Sequence, residues 1–456
     1  MASRTKRTLW QFLATVAGCI MALAHGITLG WFSPTLALFL SDESPFGKPL
    51  TVNQVSMASS VVPLGALLSN LFIGWPLDFF GRKIIMYTAA VPNLINWILL
   101  YFGDHVAFLF VARFLVGFSA GIMLVVIPIF IAEIADPEVR GTMTSMLILN
   151  MCGGISLGLI LGSYIPYNVF PFVAGAVPIL YVLLIFPLPD TPTFLLKRGR
   201  DEKAMKSFYF YKNLGSKSSS DLTREAAAEA EFNTFRENVL GGDVAQNASC
   251  RDFFSKTALK AFGLISVVLL CNSFSGAFAI LNYVAKIFFE LGSRIPPNTC
   301  GNVVGVFQLL GIFCAVLLVD RLGRRWLLIP TFVVAGLGEL TVGLLKSFAS
   351  KDFLRENSWL GLTLICFVEY MVSLGVIPLT FVVIVELLPV KILSIGASIS
   401  MAALNILLIV VLAVYPLMIS GLGVGSVMYM SAGVCFFGAI VLGMFLPETK
   451  GKQIIQ

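Results

Sequence analysis

The chain has 456 residues, of which 57% are hydrophobic and only 12% charged, with a mean hydropathy of +0.90 and a formal net charge of +6. A water-soluble protein of this length carries about a quarter of its residues as charges to cover its surface, so a soluble globular fold is excluded and an integral membrane protein is expected. The positive charge fits basic cytoplasmic loops and suggests no nucleic-acid partner.

Apolar runs of about 20 residues recur along the chain, enough for about twelve crossings. In hydrocarbon each backbone amide must pair within its own segment or a closed barrel, and runs of this length predict an all-α membrane protein. Arg4, Lys6 and Arg7 precede the first run. That run, Trp10 to Leu40, is too long for a signal peptide and lacks a convincing cleavage site, so an uncleaved first helix over 12–40 is expected, with its N-terminus inside. Helices two (56–77) and three (84–103) flank a short charged loop, Gly74-Trp75-Pro76-Leu77-Asp78-Phe79-Phe80-Gly81-Arg82-Lys83. Helices four (106–132), five (142–162) and six (168–188) complete a first half.

Residues 190–258 interrupt the pattern with a polar stretch. Asp221 to Val239 is rich in Ala and Glu and predicts short amphipathic helices, Gly215 to Ser220 a flexible link, and Gly241-Gly242 a helix end. Its plain role is a tether between two halves. The second half follows as helices near 259–290, 299–319, 327–347, 358–385, 394–419 and 424–446. The domain division expected is therefore 1–189, 190–258 and 259–456.

On this count Arg82, Lys83, Arg140, Arg321, Arg324, Arg325, Lys391, Lys450 and Lys452 fall inside, and the outer turns hold fewer basic residues, which places both termini in the cytoplasm. Six of the eight cysteines lie in apolar runs, where cysteine acts as a small hydrophobe. Cys250 and Cys300 suggest no disulfide framework, and no spacing resembles a metal site. The sequon Asn247-Ala248-Ser249 lies in the central segment and is expected to be silent there. No nucleophile–base set or phosphate loop argues for an enzyme, and no cofactor is expected.

The charged loop recurs. Asp320-Arg321-Leu322-Gly323-Arg324-Arg325 repeats its core 242 residues later, again between apolar runs, as in a duplicated membrane protein. The pattern resembles the loop between helices two and three of major facilitator transporters and its repeat between helices eight and nine, although Val316 stands where the leading glycine falls. Further stretches resemble the sugar porter branch: Arg113-Phe114-Leu115-Val116-Gly117-Phe118-Ser119-Ala120-Gly121 in helix four, whose glycines also suit close packing, and Pro128-Ile129-Phe130-Ile131-Ala132-Glu133 with Arg140-Gly141 at its exit. Glu386 and Pro389 echo that exit, with Leu393 where a basic residue is expected and Lys391 nearby. Leu188-Pro189-Asp190-Thr191-Pro192-Thr193-Phe194-Leu195 resembles the helix-six exit, with Thr193 for the usual arginine. Pro447-Glu448-Thr449-Lys450-Gly451 is the sharpest match. Gly30-Trp31-Phe32-Ser33-Pro34 is similar to insect facilitated trehalose and glucose transporters.

The resemblance implies twelve transmembrane helices in two pseudo-symmetric six-helix bundles, the major facilitator fold, and alternating access. It assigns a cytoplasmic gate to Asp78, Arg82, Arg113, Glu133, Arg140, Asp320, Arg324 and Glu386, all taken to lie at inner helix ends, where acids and arginines of neighbouring helices pair.

A neutral sugar needs amides or hydroxyls for its hydroxyl groups and aromatic faces for its C–H groups. Carried over by position, the candidate contacts are Asn272, Ser273, Ser275, Gln308, Phe381 and Asn405. Asn272, Ser273 and Phe278 replace two glutamines and an asparagine of the family, and a family glutamine in helix five falls at Ile148. Asn93, Asn96, Trp97, Asn150, Asn282, Tyr283 and Tyr370 are other polar groups able to contribute.

Aligned through Pro34, Ile27 occupies the position of the acid used by sugar–proton symporters, which favours passive transport. His25, Glu339 and Glu369 lie within apolar runs, and the two glutamates are possible proton sites. The expectation is facilitative transport of a hexose or trehalose-like sugar by a monomeric plasma-membrane carrier. The alternatives are proton-coupled symport of a sugar or another small polar solute, and a sensor that does not transport.

Overall fold

The computed structural model describes residues 2–214, 222–241, 250–389 and 392–447. Among the described residues the connections between helices are turns, bends and short irregular loops. The first half contains α1 (Ala2–Phe39), α2 (Val52–Phe72), α3 (Gly74–Phe80), α4 (Arg82–Phe102), α5 (Val106–Ile134), α6 (Pro137–Tyr164) and α7 (Phe170–Ile185). The polar segment holds α8 (Pro192–Lys197), α9 (Asp201–Tyr211), α10 (Leu222–Gly241) and α11 (Cys250–Phe253). The second half contains α12 (Lys256–Phe274), α13 (Ala277–Leu291), α14 (Pro297–Leu322), α15 (Arg324–Phe348), α16 (Lys351–Glu356), α17 (Ser358–Met371), a π-turn over Val372–Val376, α18 (Ile377–Leu387) and α19 (Leu393–Phe445).

Ten spans are long and apolar enough to cross a bilayer. One of them, Ile395–Phe445, doubles back at Gly423, where φ is +81° and ψ +158°, and so makes two crossings. The shorter Phe170–Ile185 supplies one more, which brings the described crossings to twelve. Bulky apolar side chains such as Phe102 (75% exposed) and Phe348 (83%) point outward, as a lipid-facing surface requires.

The helices start where local chemistry permits. Thr51 and Gln54 form a reciprocal capping box at α2, and Ser255 caps α12 through the Ala258 amide, each arrangement contributing about 1 kcal/mol. Two boundaries differ from expectation. Helix two ends at Phe72 and the loop motif forms its own short helix, α3. Helix seven is not continuous over 259–290; it breaks at Gly276, where φ is +81°.

Small residues set the tightest contacts. Gly26 and Gly30 of α1 lie against Met151 and Ile155 of α6, while Gly154 and Gly158 of α6 lie against Leu23 and Ile27 of α1. A Cβ at any of the four would collide with a backbone carbonyl, so the two helices mesh glycine to carbonyl. Gly117 and Gly121 of α5 meet Val62, Ser69 and Ala66 of α2 in the same way.

The core is divided unevenly. One hydrophobic cluster runs through the whole second half and continues into the first through Trp31, Phe39, Ala58, Trp97, Leu109, Ile155 and Phe170. All of these lie in the halves of α1–α7 remote from the polar segment, here termed the far end. The opposite halves, at the linker end, form a separate cluster with Met21, Ile73, Ile85, Phe130, Met143 and Tyr181. The two bundles therefore share a core at the far end, and the first bundle keeps its own at the linker end.

Hydrogen bonds across the seam follow the same division. Ser156 donates to the Gly305 carbonyl (2.6 Å), Ser163 to Asn302 (3.2 Å), and the Ala285 amide to Ser33 (3.4 Å). All three lie towards the far end.

Candidate functional site

The two loop motifs fold alike. Gly81 precedes α4 with φ +94° and ψ 168°, and Gly323 precedes α15 with φ +92° and ψ 159°. That left-handed turn suits glycine and delivers the next residue, an arginine, to the same place in each bundle. Arg82 donates Nε and Nη2 to Glu133 Oε1 (3.0 and 2.7 Å) and Nη1 to the Leu77 carbonyl (3.4 Å). Arg324 directs Nε and Nη2 at Glu386 Oε1 (3.0 Å each) and Nη1 at the Val319 carbonyl (3.4 Å). The next basic residue also corresponds: Lys83 reaches the Phe186 carbonyl at the end of α7, and Arg325 the Gly443 carbonyl near the end of α19.

Each pair opposes unfavourable helix termini. Arg82 sits at the positive end of α4 and Glu133 near the negative end of α5, so neither charge is favoured by its own helix. The pair offsets both. Asp190 accepts from the Lys83 amide at 3.1 Å, a carboxylate on a helix N-terminus. Thr191 donates to the second oxygen of Glu133. Removal of one partner leaves a nearly buried charge bonded to little else.

Arg82→Ala and Glu133→Ala are each expected to cost about 1.5–3 kcal/mol of stability. The double variant should lose much less than the sum. A thermal-denaturation double-mutant cycle checks this, and additive losses would show that the contact is not energetically coupled.

The other gate candidates are placed differently. Asp78 touches Arg82 at 3.6 Å, but its side chain is 82% exposed, a setting in which ion pairs contribute little. Arg140 donates to the Ala135 carbonyl (3.4 Å) at the end of α5. Asp320 lies on α14, and its side chain is outside the described residues, as are Lys391, Asn247 and the motif beyond Pro447.

Arg113 requires a correction. It stands 20 residues before Glu133 on the same helix, roughly 30 Å away at about 1.5 Å per residue, and so belongs to the far end rather than an inner helix end. It is fully buried, donates to the Ala58 (3.2 Å) and Thr28 (3.3 Å) carbonyls, and lies over the Phe32 ring at 4.3 Å. Nη2 has no partner. The Arg82–Glu133 and Arg324–Glu386 pairs each join neighbouring helices of one bundle and do not cross between the bundles.

The polar segment docks on the first bundle by contacts that the motifs did not nominate. Lys212 bridges Asp136 (3.1 Å) and Glu231 (2.6 Å). Gln11 both donates to and accepts from Asp136. Tyr211 donates to the Pro189 carbonyl at 2.6 Å. Burial, and then the Asp190 charge, push its phenol well above the usual value, so it acts as a neutral donor.

Of the six candidate substrate contacts, three are buried with polar atoms that no protein group satisfies: both amide atoms of Asn272, the Ser273 hydroxyl, and Oε1 of Gln308. An unsatisfied buried polar atom typically costs about 1–3 kcal/mol and needs an explanation. The others are satisfied or apolar. Ser275 donates to the Asn272 carbonyl (3.0 Å), Asn405 to the Met401 carbonyl of its own helix (3.0 Å), and Phe381 is half-buried against the core. Asn150 and Asn282 also bond one turn back on their own helices. Tyr283 donates to the Leu412 carbonyl, whereas Asn93 is fully buried with neither amide atom paired. Glu339 and Glu369 lie inside the second bundle, both fully buried.

The family model described as "Sugar (and other) transporter" matches residues 19–456. The facilitated trehalose transporter Tret1 of Culex quinquefasciatus is 29% identical over 452 residues, 98% of this chain and 85% of that protein. Tret1 of Aedes aegypti is 29% identical over 447 residues, 97% of this chain but 54% of that longer protein. Among solved structures, the partially occluded inward open conformation of the xylose transporter XylE from E. coli superposes with a TM-score of 0.75 at 16% identity, covering 96% of this chain and all of that one. The proton:xylose symporter XylE bound to 6-bromo-6-deoxy-D-glucose superposes at 0.71 with 18% identity, covering 98% of each chain.

Proposed function

The chain belongs to the sugar transporter family, and from that premise we propose that it moves a small neutral sugar, a hexose or trehalose, down its gradient by alternating access. The observation that carries the reading is the set of orphaned polar atoms on Asn272, Ser273 and Gln308. Hydroxyl groups of a bound sugar would satisfy them, and an apolar substrate would not.

The mode of transport follows from position 27. Ile27 occupies the position that the symporters of the branch give to an acid, and the Arg113 guanidinium donates instead to carbonyls at Thr28 and Ala58. Passive transport follows.

The bundles, taken as 1–189 and 259–456, rock around the central site, and the polar segment 190–258 rides on the first. The linker end faces the cytoplasm, as its arginines and lysines suggest, so both termini lie inside. A core shared only at the far end then supports an inward-facing state. The carrier acts as a monomer in the plasma membrane.

Counterflow by the purified protein in liposomes tests this. Labelled trehalose or glucose should exchange saturably, with a polyol as the control solute, and an imposed proton gradient or membrane potential should drive no accumulation of the sugar. Asn272→Leu should raise the half-saturation concentration about 5- to 150-fold, the equivalent of about 1–3 kcal/mol. Absence of counterflow with every sugar, or concentrative uptake without an ion gradient, would overturn the reading.

A further inference from the structure

Two acids are fully buried inside the second bundle with no ion pair among the described residues. Glu339 on α15 and Glu369 on α17 are both 0% exposed. Neither oxygen of Glu369 has a hydrogen-bond partner; Glu339 Oε1 has none, and Oε2 receives only the Cys435 thiol at 3.6 Å. Among the described residues neither carboxyl forms an ion pair, in contrast to Glu133 and Glu386. Two such groups cannot both remain charged in an apolar interior.

Their surroundings are specific. Glu339 lies within electrostatic range of Glu369. Tyr415 of α19 lies within range of both and turns its hydroxyl towards Ser431 without reaching hydrogen-bonding geometry. Cys152 of α6, from the other bundle, and Cys366 of α17 lie within range of Glu369. With Cys435, these are the titratable groups within range of the two acids among the described residues, and Cys271, near the end of α12, lies within range of Cys435.

The hinge between α12 and α13 is the second observation. Glu339 Oε1 lies 2.6 Å from where a Cβ on Gly276 would stand, and Ser431 Oγ 3.4 Å from the same point. Gly276 holds φ +81° at the break in helix seven, directly after the segment that carries Asn272 and Ser273. One carboxyl therefore rests on the turn about which α13 can move, and α13 also meets α1 of the first bundle through Ser33. A charge appearing on that carboxyl demands hydration, and the space it can open is the hinge.

We propose that Glu339 and Glu369 form a proton-binding site at the hinge of helix seven, whose occupancy governs the rate of the transport cycle. Protonated, the pair tolerates its apolar setting and α13 packs as observed. Deprotonated, it draws water to Gly276 and changes the angle between α12 and α13. The site rests on the carrier reading above but differs in place from the acid position of the branch's symporters, which Ile27 occupies here.

The test is equilibrium exchange of labelled sugar in proteoliposomes with equal pH inside and outside. The wild-type rate should change at least about tenfold between about pH 5 and pH 8. Glu339→Gln and Glu369→Gln, isosteric with the neutral acids, should retain exchange with a flat profile. A second measurement needs no variant: a pH dye in weakly buffered solution should report proton uptake or release when solubilised wild-type protein binds sugar. Wild-type exchange that is flat in pH, variants that keep the wild-type profile, or sugar binding without proton movement would each overturn the site while leaving the carrier intact. Wild-type protein that exchanges no sugar at any pH would retire both readings.

Discussion

Ser156→Cys combined with Gly305→Cys is expected to stop transport under oxidising conditions and to restore it on reduction. A Cβ built on Gly305 lies 3.3 Å from Ser156 Cα and 3.5 Å from its Oγ, close to the roughly 3.5–4.5 Å Cβ separation that a disulfide spans. The new side chain also meets the end of Leu159, which can swing aside. The two residues lie on α6 and α14, on opposite sides of the seam, where Ser156 already donates to the Gly305 carbonyl. A covalent bond here prevents the far end from opening. A carrier that must open each end in turn then completes no cycle, and counterflow should fall by more than about tenfold, with both single variants active. Complete cross-linking, confirmed by mass, with undiminished counterflow would show that the seam does not separate during transport.

The lock also bears on the ion pairs at the other end. Arg82–Glu133 and Arg324–Glu386 persist in a conformation whose bundles share a core only at the far end. Each pair braces neighbouring helices within its own bundle. Rigid-body rocking needs such bracing, because a bundle that loosened at its linker end would absorb the motion instead of transmitting it.

Much of this was legible in the residues. The recurring charged loop predicts a duplicated architecture, and Gly81 and Gly323 adopt nearly the same backbone geometry to place Arg82 and Arg324. The glycines four apart at Gly117 and Gly121 did announce a close helix contact. Arg113 was misplaced because the motif around it was grouped with the gate. Counting residues from His105, at the far end of α5, is enough to put it in the far half of the helix.

Other features leave little trace in sequence. Ser275-Gly276 within an apolar run looks like ordinary membrane helix, since glycine is common there, and only the backbone shows a positive φ. The docking of Lys212 on Asp136 joins residues 76 positions apart, and no local pattern encodes that pairing. That neither Glu339 nor Glu369 forms an ion pair among the described residues is likewise a fact of packing, invisible until the neighbouring helices are in place.

Gly276→Ala is expected to abolish exchange, and the reason separates into two parts that one further variant can resolve. An alanine at φ +81° pays a backbone penalty of about 1–2 kcal/mol. Its Cβ would also lie 2.6 Å from Glu339 Oε1, closer than van der Waals contact allows, so the carboxyl or the hinge must move. Gly263→Ala, on the same membrane helix with nothing within 4 Å, serves as the control and should be nearly silent. Adding Glu339→Ala removes the collision but not the backbone penalty. If crowding dominates, Gly276→Ala/Glu339→Ala should recover a substantial part of the lost exchange; if the backbone dominates, it should recover none. Wild-type exchange in Gly276→Ala alone would mean that the break in helix seven neither bends during the cycle nor depends on the carboxyl packed against it.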